Sequence, residues 1–270
     1  MAVKTGNDAT IALAEYIAGS EDRFVEIMNQ TAQELGMLDS HFQNATGLPD
    51  PQHYSTAYDL GLLAWHFQKN HPDVMPRMSK KWLTYHNIKQ HNRNGLLWQD
   101  PDVTGMKTGF TNEAGYCLIA SATKNQNNYI SVVLGDKTEH SRNQSTAVLL
   151  QFAQRAYDHI TFNKDPDIQA SKVWYSTVKS TKAILQKPVA ISIPKKTQNL
   201  EKKIAVSENL FAPSTAKTII GRYELYLDQN QLASIPLVIE KDLKPGSTFG
   251  SIRDWFQYQI ESIIQAFFSA

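Results

Sequence analysis

The stretch "TGMKTGFTNEAGYCLIASA", residues 104 to 122, runs from a glycine turn through Lys107, Thr108 and Gly109 into an apolar segment that reads as a strand. With "YISVVLG" at 129 to 135, beyond the turn-forming "KNQNN", it predicts an antiparallel hairpin within a buried sheet. A lysine at such a place can be a solvated charge on a sheet edge, and a glycine a simple bend. A phosphate-cradling loop is excluded, because that motif needs glycine directly before the lysine and Met106 stands there. The remaining chemical reading is an anion site on an open strand edge. There an ammonium and a hydroxyl hold a carboxylate, and Gly109 admits a ligand backbone.

Working outward, residues 8 to 19 predict a helix capped by Asp8 and stopped by Gly19, with Ile11, Ala14 and Ala18 on one stripe. Ser20 caps a second helix through Phe24, Ile27, Met28, Thr31 and Leu35 to Gly36. Residues 43 to 55 are loop by composition, and Thr56 with Asp59 forms a capping box opening a third helix. Downstream of the hairpin, a helix is expected over about 141 to 160 with Val148, Leu149, Phe152 and Ala156 inward. Strands flanked by helices make residues 1–165 an α+β layer domain.

Beyond it the texture changes. "PVAISIP", "KIAV", "RYELYLD" and "SIPLVIE" are short, alternating and bounded by turn residues, which predicts a small all-β domain over 166–248. Tyr223, Leu225 and Leu227 fall on one face of the third of these segments. Residues 249–270 place Ile252, Trp255, Phe256, Ile260, Ile263, Ile264, Phe267 and Phe268 on one wide helical stripe. That stripe is expected to dock on its own protein or, as the favoured reading, to lie in a membrane surface.

The bulk numbers narrow the function classes. With 270 residues, 41% hydrophobic and 20% charged, the chain is globular, and a net charge of +1 supplies no field for nucleic acid. The single Cys117 permits no internal disulfide, and the eight histidines lack metal-ligand spacing. Neither a metal nor another cofactor is expected. The first ten residues lack the apolar core of a signal peptide, and no run approaches the roughly 18 apolar residues of a transmembrane span.

A second element stands near the front, where "KTGNDA" puts Thr5 and Asn7 in a hydroxyl-x-amide arrangement at the mouth of a helix. Alone it is capping sequence; together with Lys-Thr-Gly it matches two of the three elements of acyl-serine enzymes. The ordered segments "TGNDA", "AGSEDRFVEIMNQTAQELGM", "HFQNATGLPDPQHYSTAYDL", "NRNGLLW" and "VTGMKTGFTNEAGYCLIASA" resemble the serine-type D-alanyl-D-alanine carboxypeptidases, the low-molecular-mass penicillin-binding proteins. The resemblance covers essentially the whole chain. It implies part of a penicillin-binding/β-lactamase-like transpeptidase domain, followed by the β-rich domain and the amphipathic helix. The implied activity is removal of the terminal D-alanine from peptidoglycan stem peptides through an acyl-serine intermediate, at the periplasmic face of the bacterial inner membrane. In it Lys107 and Thr108 bind the terminal carboxylate, Gly109 lets the substrate approach, and the Phe110 amide is an oxyanion donor. Asn7 holds the substrate amide, the Thr5 hydroxyl relays a proton to the departing D-alanine, and Arg93 of "NRNGLLW" supports the carboxylate or Lys107.

Two departures qualify the resemblance. Thr5 stands where the family has serine. The family's Ser-x-x-Lys helix lies well upstream of this element, and only four residues precede Thr5 here. "STVK" at 176 to 179 and "STAK" at 214 to 217 match by letter but sit in extended context, so both are expected to be chance matches. The sequence thus resembles a family member lacking its first segment, signal peptide included, with no nucleophile of its own. β-Lactams are expected to react only where that segment is present. A non-catalytic peptidoglycan-binding or scaffolding remnant is the alternative.

Overall fold

The computed structural model describes residues 1–162, 171–195 and 199–268, which fall into two compact units, Met1–Ala156 and Tyr157–Ala270. The first unit opens with α1 (Asn7–Ala18), α2 (Glu21–Glu34) and α3 (Ala57–Asn70). A short α4 (Met75–Met78), a hairpin of β1 (Trp82–Tyr85) and β2 (Ile88–His91), and a short α5 (Leu96–Gln99) follow. A three-stranded antiparallel sheet, β3 (Val103–Thr111), β4 (Gly115–Lys124) and β5 (Asn127–Asp136), then leads into α6 (Glu139–Ala156). The expected hairpin is β4–β5, closed by Asn125 and Gln126 at positive φ.

The helix ends show how local chemistry sets the frame. The Ser20 hydroxyl accepts from the Arg23 N–H at 3.2 Å, and the Thr56 hydroxyl accepts from the Asp59 N–H at 3.1 Å. Asp59 does not complete the expected capping box. Its buried carboxylate instead accepts from the Asp39 N–H and the Ser40 hydroxyl, tying the preceding loop down. Asp8 is not the cap of α1 either: Gly6 flanks the helix, Asn7 begins it, and Asp8 lies in its first turn.

The core of this unit lies under α5 and α6, where Leu96, Leu97, Val103, Leu118, Ala120, Ala122 and Leu150 cluster against the sheet. The inward face of α6 differs from the expected one: Arg142, Asn143, Thr146 and Leu150 are buried, while Val148, Leu149 and Phe152 are exposed. The apolar stripe had suggested the opposite phase. Polar side chains hold this face: Arg142 donates to the Asn143 side-chain oxygen and to the carbonyl of Arg93.

α6 also stops at Ala156, because Tyr157–Phe162 pair with a later strand. The second unit is β-rich: β6 (Tyr157–Phe162), β7 (Ser171–Trp174), β8 (Ser180–Thr181), β9 (Ala183–Leu185), β10 (Val189–Pro194), β11 (Leu200–Val206), β12 (Asn209–Phe211), β13 (Ile219–Leu227) and β14 (Asn230–Ile239). They form the sheets β11-β13-β14-β9, β12-β7-β8 and β10-β6 around Val173, Leu185, Leu225, Leu237 and Ile239. The expected boundary at 165/166 lies outside the described residues.

The final helix α7 (Thr248–Phe268) docks on this unit by its polar side. Lys179 reaches the buried Asp254 at 2.6 Å, Lys172 reaches Glu261 at 2.6 Å, and the Tyr258 ring packs 5.3 Å from both Trp174 and Phe211. Ile252, Trp255, Phe256, Ile260, Ile263 and Ile264 stay exposed, and the side chains of Phe267 and Phe268 lie outside the described residues. Among the described residues, no helix is long and apolar enough to cross a membrane.

Candidate active site

Among the described residues β3 is the end strand of its sheet and pairs with β4 alone, which leaves one side of its backbone for another partner. The pleat sends Met106 and Thr108 inward and leaves Lys107 half-buried. Gly109 and Phe110 are exposed, and the Phe110 ring packs 4.3 Å from that of its cross-strand neighbour Tyr116. A Cβ at Gly109 would meet only Cys117, at an ordinary 3.7 Å, so the protein's own packing does not demand glycine here. A ligand backbone lying against the strand would.

A cleft of about 660 Å³ runs along this strand, and Thr5, Asn7, Arg93, Lys107, Thr108, Gly109 and Phe110 all line it. The two sequence elements therefore meet. The Lys107 ammonium donates to the Thr5 hydroxyl at 2.8 Å and to the Thr108 carbonyl at 2.5 Å. Burial, and then the charge of Arg93, hold its pKa below the usual lysine value. Arg93 is thus a second cation of the cleft and repels Lys107. Two like charges kept together in a half-buried site make it complementary to an anion.

Two buried asparagines present Arg93. The Asn92 carboxamide donates to the Lys80 carbonyl and its oxygen accepts from the Asn94 N–H; Asn94, fully buried, donates to the Gly105 carbonyl at 3.1 Å and accepts from the Leu96 N–H at 3.2 Å. One side chain therefore ties the Arg93 loop to β3 two residues ahead of Lys107.

Sequence reasoning missed two further parts. Arg142 lines the cleft although it is only 2% exposed, with Glu139 at 3.3 Å offsetting its burial. Its inward face was hidden by the misleading apolar stripe of α6. Residues 45–48, organised by Asn44, also line the cleft. The Asn44 oxygen accepts from the N–H groups of Thr46, Gly47 and Leu48 at 3.2, 2.7 and 3.1 Å, and its amide donates to the Leu48 carbonyl at 2.9 Å. Glu21 accepts from the Ala45 N–H at 3.0 Å, fixing this stretch to α2. Asn44 followed three residues on by Gly47 was the available signal, and the structure puts that glycine at positive φ.

The two Ser-x-x-Lys letter matches stand in the other unit, outside its helix. Ser176 is buried and donates to the Lys244 carbonyl, Ser214 donates to the Phe211 carbonyl, and Lys179 is engaged with Asp254. Neither serine has the environment of an activated nucleophile.

An end strand carrying Lys-Thr-Gly, facing a hydroxyl-x-Asn helix mouth across a cationic cleft, defines the wall of a penicillin-binding transpeptidase fold. The chain belongs to the D-alanyl-D-alanine carboxypeptidase family, whose description matches residues 1–138, while residues 158–245 match the penicillin-binding protein 5 C-terminal domain. It is similar to D-alanyl-D-alanine carboxypeptidase DacA of Haemophilus influenzae, 36% identical over 97% of this chain and 68% of the relative. DacD of Escherichia coli is 34% identical over 95% and 67%. Among solved structures, penicillin binding protein 5 from Haemophilus influenzae superposes with a TM-score of 0.78 at 37% identity, over 90% of this chain and 72% of that one. Penicillin-binding protein D2 from Listeria monocytogenes, in its cefotaxime-bound form, matches at 0.51 and 35% identity over 54% of this chain and 60% of that one. The chain spans about two thirds of the length of the curated relatives it matches.

Proposed function

We propose that the cleft binds the C-terminus of a peptidoglycan stem peptide ending in D-Ala-D-Ala. The observation that carries this is the pairing of Lys107 and Arg93 as two cations at one stretch of an unpaired strand edge, with Thr5 and Asn7 opposite. The ligand lies along β3 as an added strand, its carboxylate on the Lys107 ammonium and the Thr108 hydroxyl, and its scissile carbonyl toward the Phe110 amide. Asn7 holds the ligand amide. In this reading Thr5 passes a proton to a departing D-alanine, which its bond to Lys107 supports.

We propose that these 270 residues alone bind without turnover and are not acylated by β-lactams; the bonding of Ser176 and Ser214 to backbone carbonyls, and of Lys179 to Asp254, supports this reading. Incubation with a fluorescent penicillin, followed by denaturing electrophoresis and intact mass, tests this. Reversible binding of an N-acylated D-Ala-D-Ala peptide without a covalent penicillin adduct is expected. A stoichiometric adduct would overturn the second half of the reading and direct attention to Ser176 and Ser214.

The exposed apolar face of α7 supports a further element: residues 250–270 lying in the plane of a membrane surface, at the periplasmic face of the inner membrane. The polar contacts of this helix are spent on its own domain, and the outward side is the apolar one.

A further inference from the structure

At positions 142 and 143, α6 turns two buried side chains toward the loop that carries Arg93. The Arg142 guanidinium donates to the Arg93 carbonyl at 3.1 Å, and to the Asn143 side-chain oxygen through Nε at 3.2 Å and Nη2 at 2.9 Å. Successive positions on a helix do not face each other, so this pairing means that both side chains bend to one object, the Arg93 loop. Gly95, two residues beyond Arg93, shows how closely they approach it: a Cβ there would stand 2.5 Å from the Asn143 amide nitrogen. Its backbone, at φ −64° and ψ −22°, suits any residue. Glycine is therefore required here by the Asn143 carboxamide and not by the path of the chain.

The carboxamide thus acts on both sides of Arg93. Its oxygen orients the guanidinium that holds the Arg93 carbonyl, and its nitrogen lies against the loop just past that residue. Asn94, between the two contacts, is fixed to β3 by its bond to the Gly105 carbonyl. We propose that Asn143 is a positioning residue that, through Arg142 and Gly95, sets where Arg93 stands relative to Lys107 and so how the cleft meets a carboxylate, which rests on the peptide reading given above and deepens it. A role confined to anchoring α6 would leave the spacing of the two cations untouched.

That spacing can be read without a ligand. Burial, and then the charge of Arg93, depress the Lys107 pKa, so titration of the Lys107 ammonium by NMR of its side-chain nitrogen reports on Arg93. The other titratable side chains lining the cleft, Lys4, His91, Tyr116, Glu139 and Arg142, are kept in every variant. Asn143→Ala is expected to raise the Lys107 midpoint toward that of Arg93→Gln, and to weaken binding of an N-acylated D-Ala-D-Ala peptide about fivefold. Gly95→Ala displaces the same carboxamide at a position whose backbone accepts alanine, so it should do the same, and should add nothing in an Asn143→Ala background. It carries the test alone should Asn143→Ala fail to fold. In Arg93→Gln, adding Asn143→Ala should leave the midpoint where it is. A midpoint unmoved in both single variants, whatever their thermal stability, would overturn the proposal, and so would a shift that persists without Arg93. A moved midpoint, alongside a wild-type chain that binds no peptide, upholds the positioning of Arg93 and removes the peptide reading.

Discussion

Lys107 and Thr5, 102 positions apart in the sequence, are joined by a 2.8 Å hydrogen bond within the cleft they both line. The bond links the strand edge to the mouth of α1, so substitution of either residue is felt at both. Lys107→Ala is expected to weaken binding of an N-acylated D-Ala-D-Ala peptide by about 1.5–3 kcal/mol, the worth of a charge-assisted hydrogen bond. Lys107→Arg should restore only part of it, because a planar fork does not reproduce a compact ammonium. Calorimetric titration of the three proteins checks both; unaltered affinity in Lys107→Ala would remove the carboxylate from this strand.

The lowered pKa of Lys107 sets a pH dependence. The proposed carboxylate ligand would pair with the protonated ammonium, so affinity is expected to be full below the free-protein pKa and to fall as pH rises through it. Because burial and Arg93 hold that value below the usual lysine range, the fall begins earlier than for an ordinary lysine. Arg93→Gln removes the repelling charge, so the midpoint should move upward while the low-pH affinity drops. Binding measured from neutral to strongly alkaline pH reads both effects.

Asn94 is expected to be costly to replace. In Asn94→Ala the Gly105 carbonyl and the Leu96 N–H lose their partner in a site with no access to water, a loss of about 3 kcal/mol of stability. Urea unfolding gives the value directly. The residual folded protein should also bind the peptide less well, since Arg93 and β3 lose their common tie.

Asp254 ties the stability of the second unit to acid. Burial alone would raise its carboxyl, but hydrogen bonds from Lys179 and the Tyr175 N–H, with the charges of Lys179 and Arg253, bring it below the usual aspartate range. Its contribution is therefore present above the unfolded value of about 4 and is lost as pH falls through the lower folded value. Asp254→Asn should flatten that acid limb of stability; an unchanged acid profile would mean the docking of α7 does not depend on this carboxylate.

Ile260→Asp with Ile263→Asp is expected to abolish cosedimentation with liposomes and leave the thermal midpoint nearly unmoved, since both side chains are more than half exposed. Retained liposome binding in this double variant would show that the outward face of α7 is not what meets lipid.

What could be read in advance followed from contiguous signals. Ser20 and Thr56 marked their helices by hydrogen-bonding chemistry that needs only neighbouring residues. Lys107 and Thr5 could be assigned to one site because each belongs to a recognisable short motif. Arg142 escaped because its helix carries apolar residues on its outer face, so periodicity reported the wrong side. The β1–β2 hairpin escaped for a related reason: Trp82, Leu83, Thr84 and Tyr85 are all exposed, so no two-residue alternation separates an inside from an outside. Asn94 looked like a loop residue, and its value lies in a carbonyl eleven positions away.

The way α7 is fastened separates two kinds of evolutionary constraint. Asp254, Tyr258 and Glu261 face the domain and specify where the helix sits, while the outward isoleucines and aromatics are about half exposed. Drift along the outer row can therefore alter what the protein adheres to, residue by residue, without a compensating change in the β-rich unit. The inner row has no such freedom, because each change there must be matched on β7 or at Lys179.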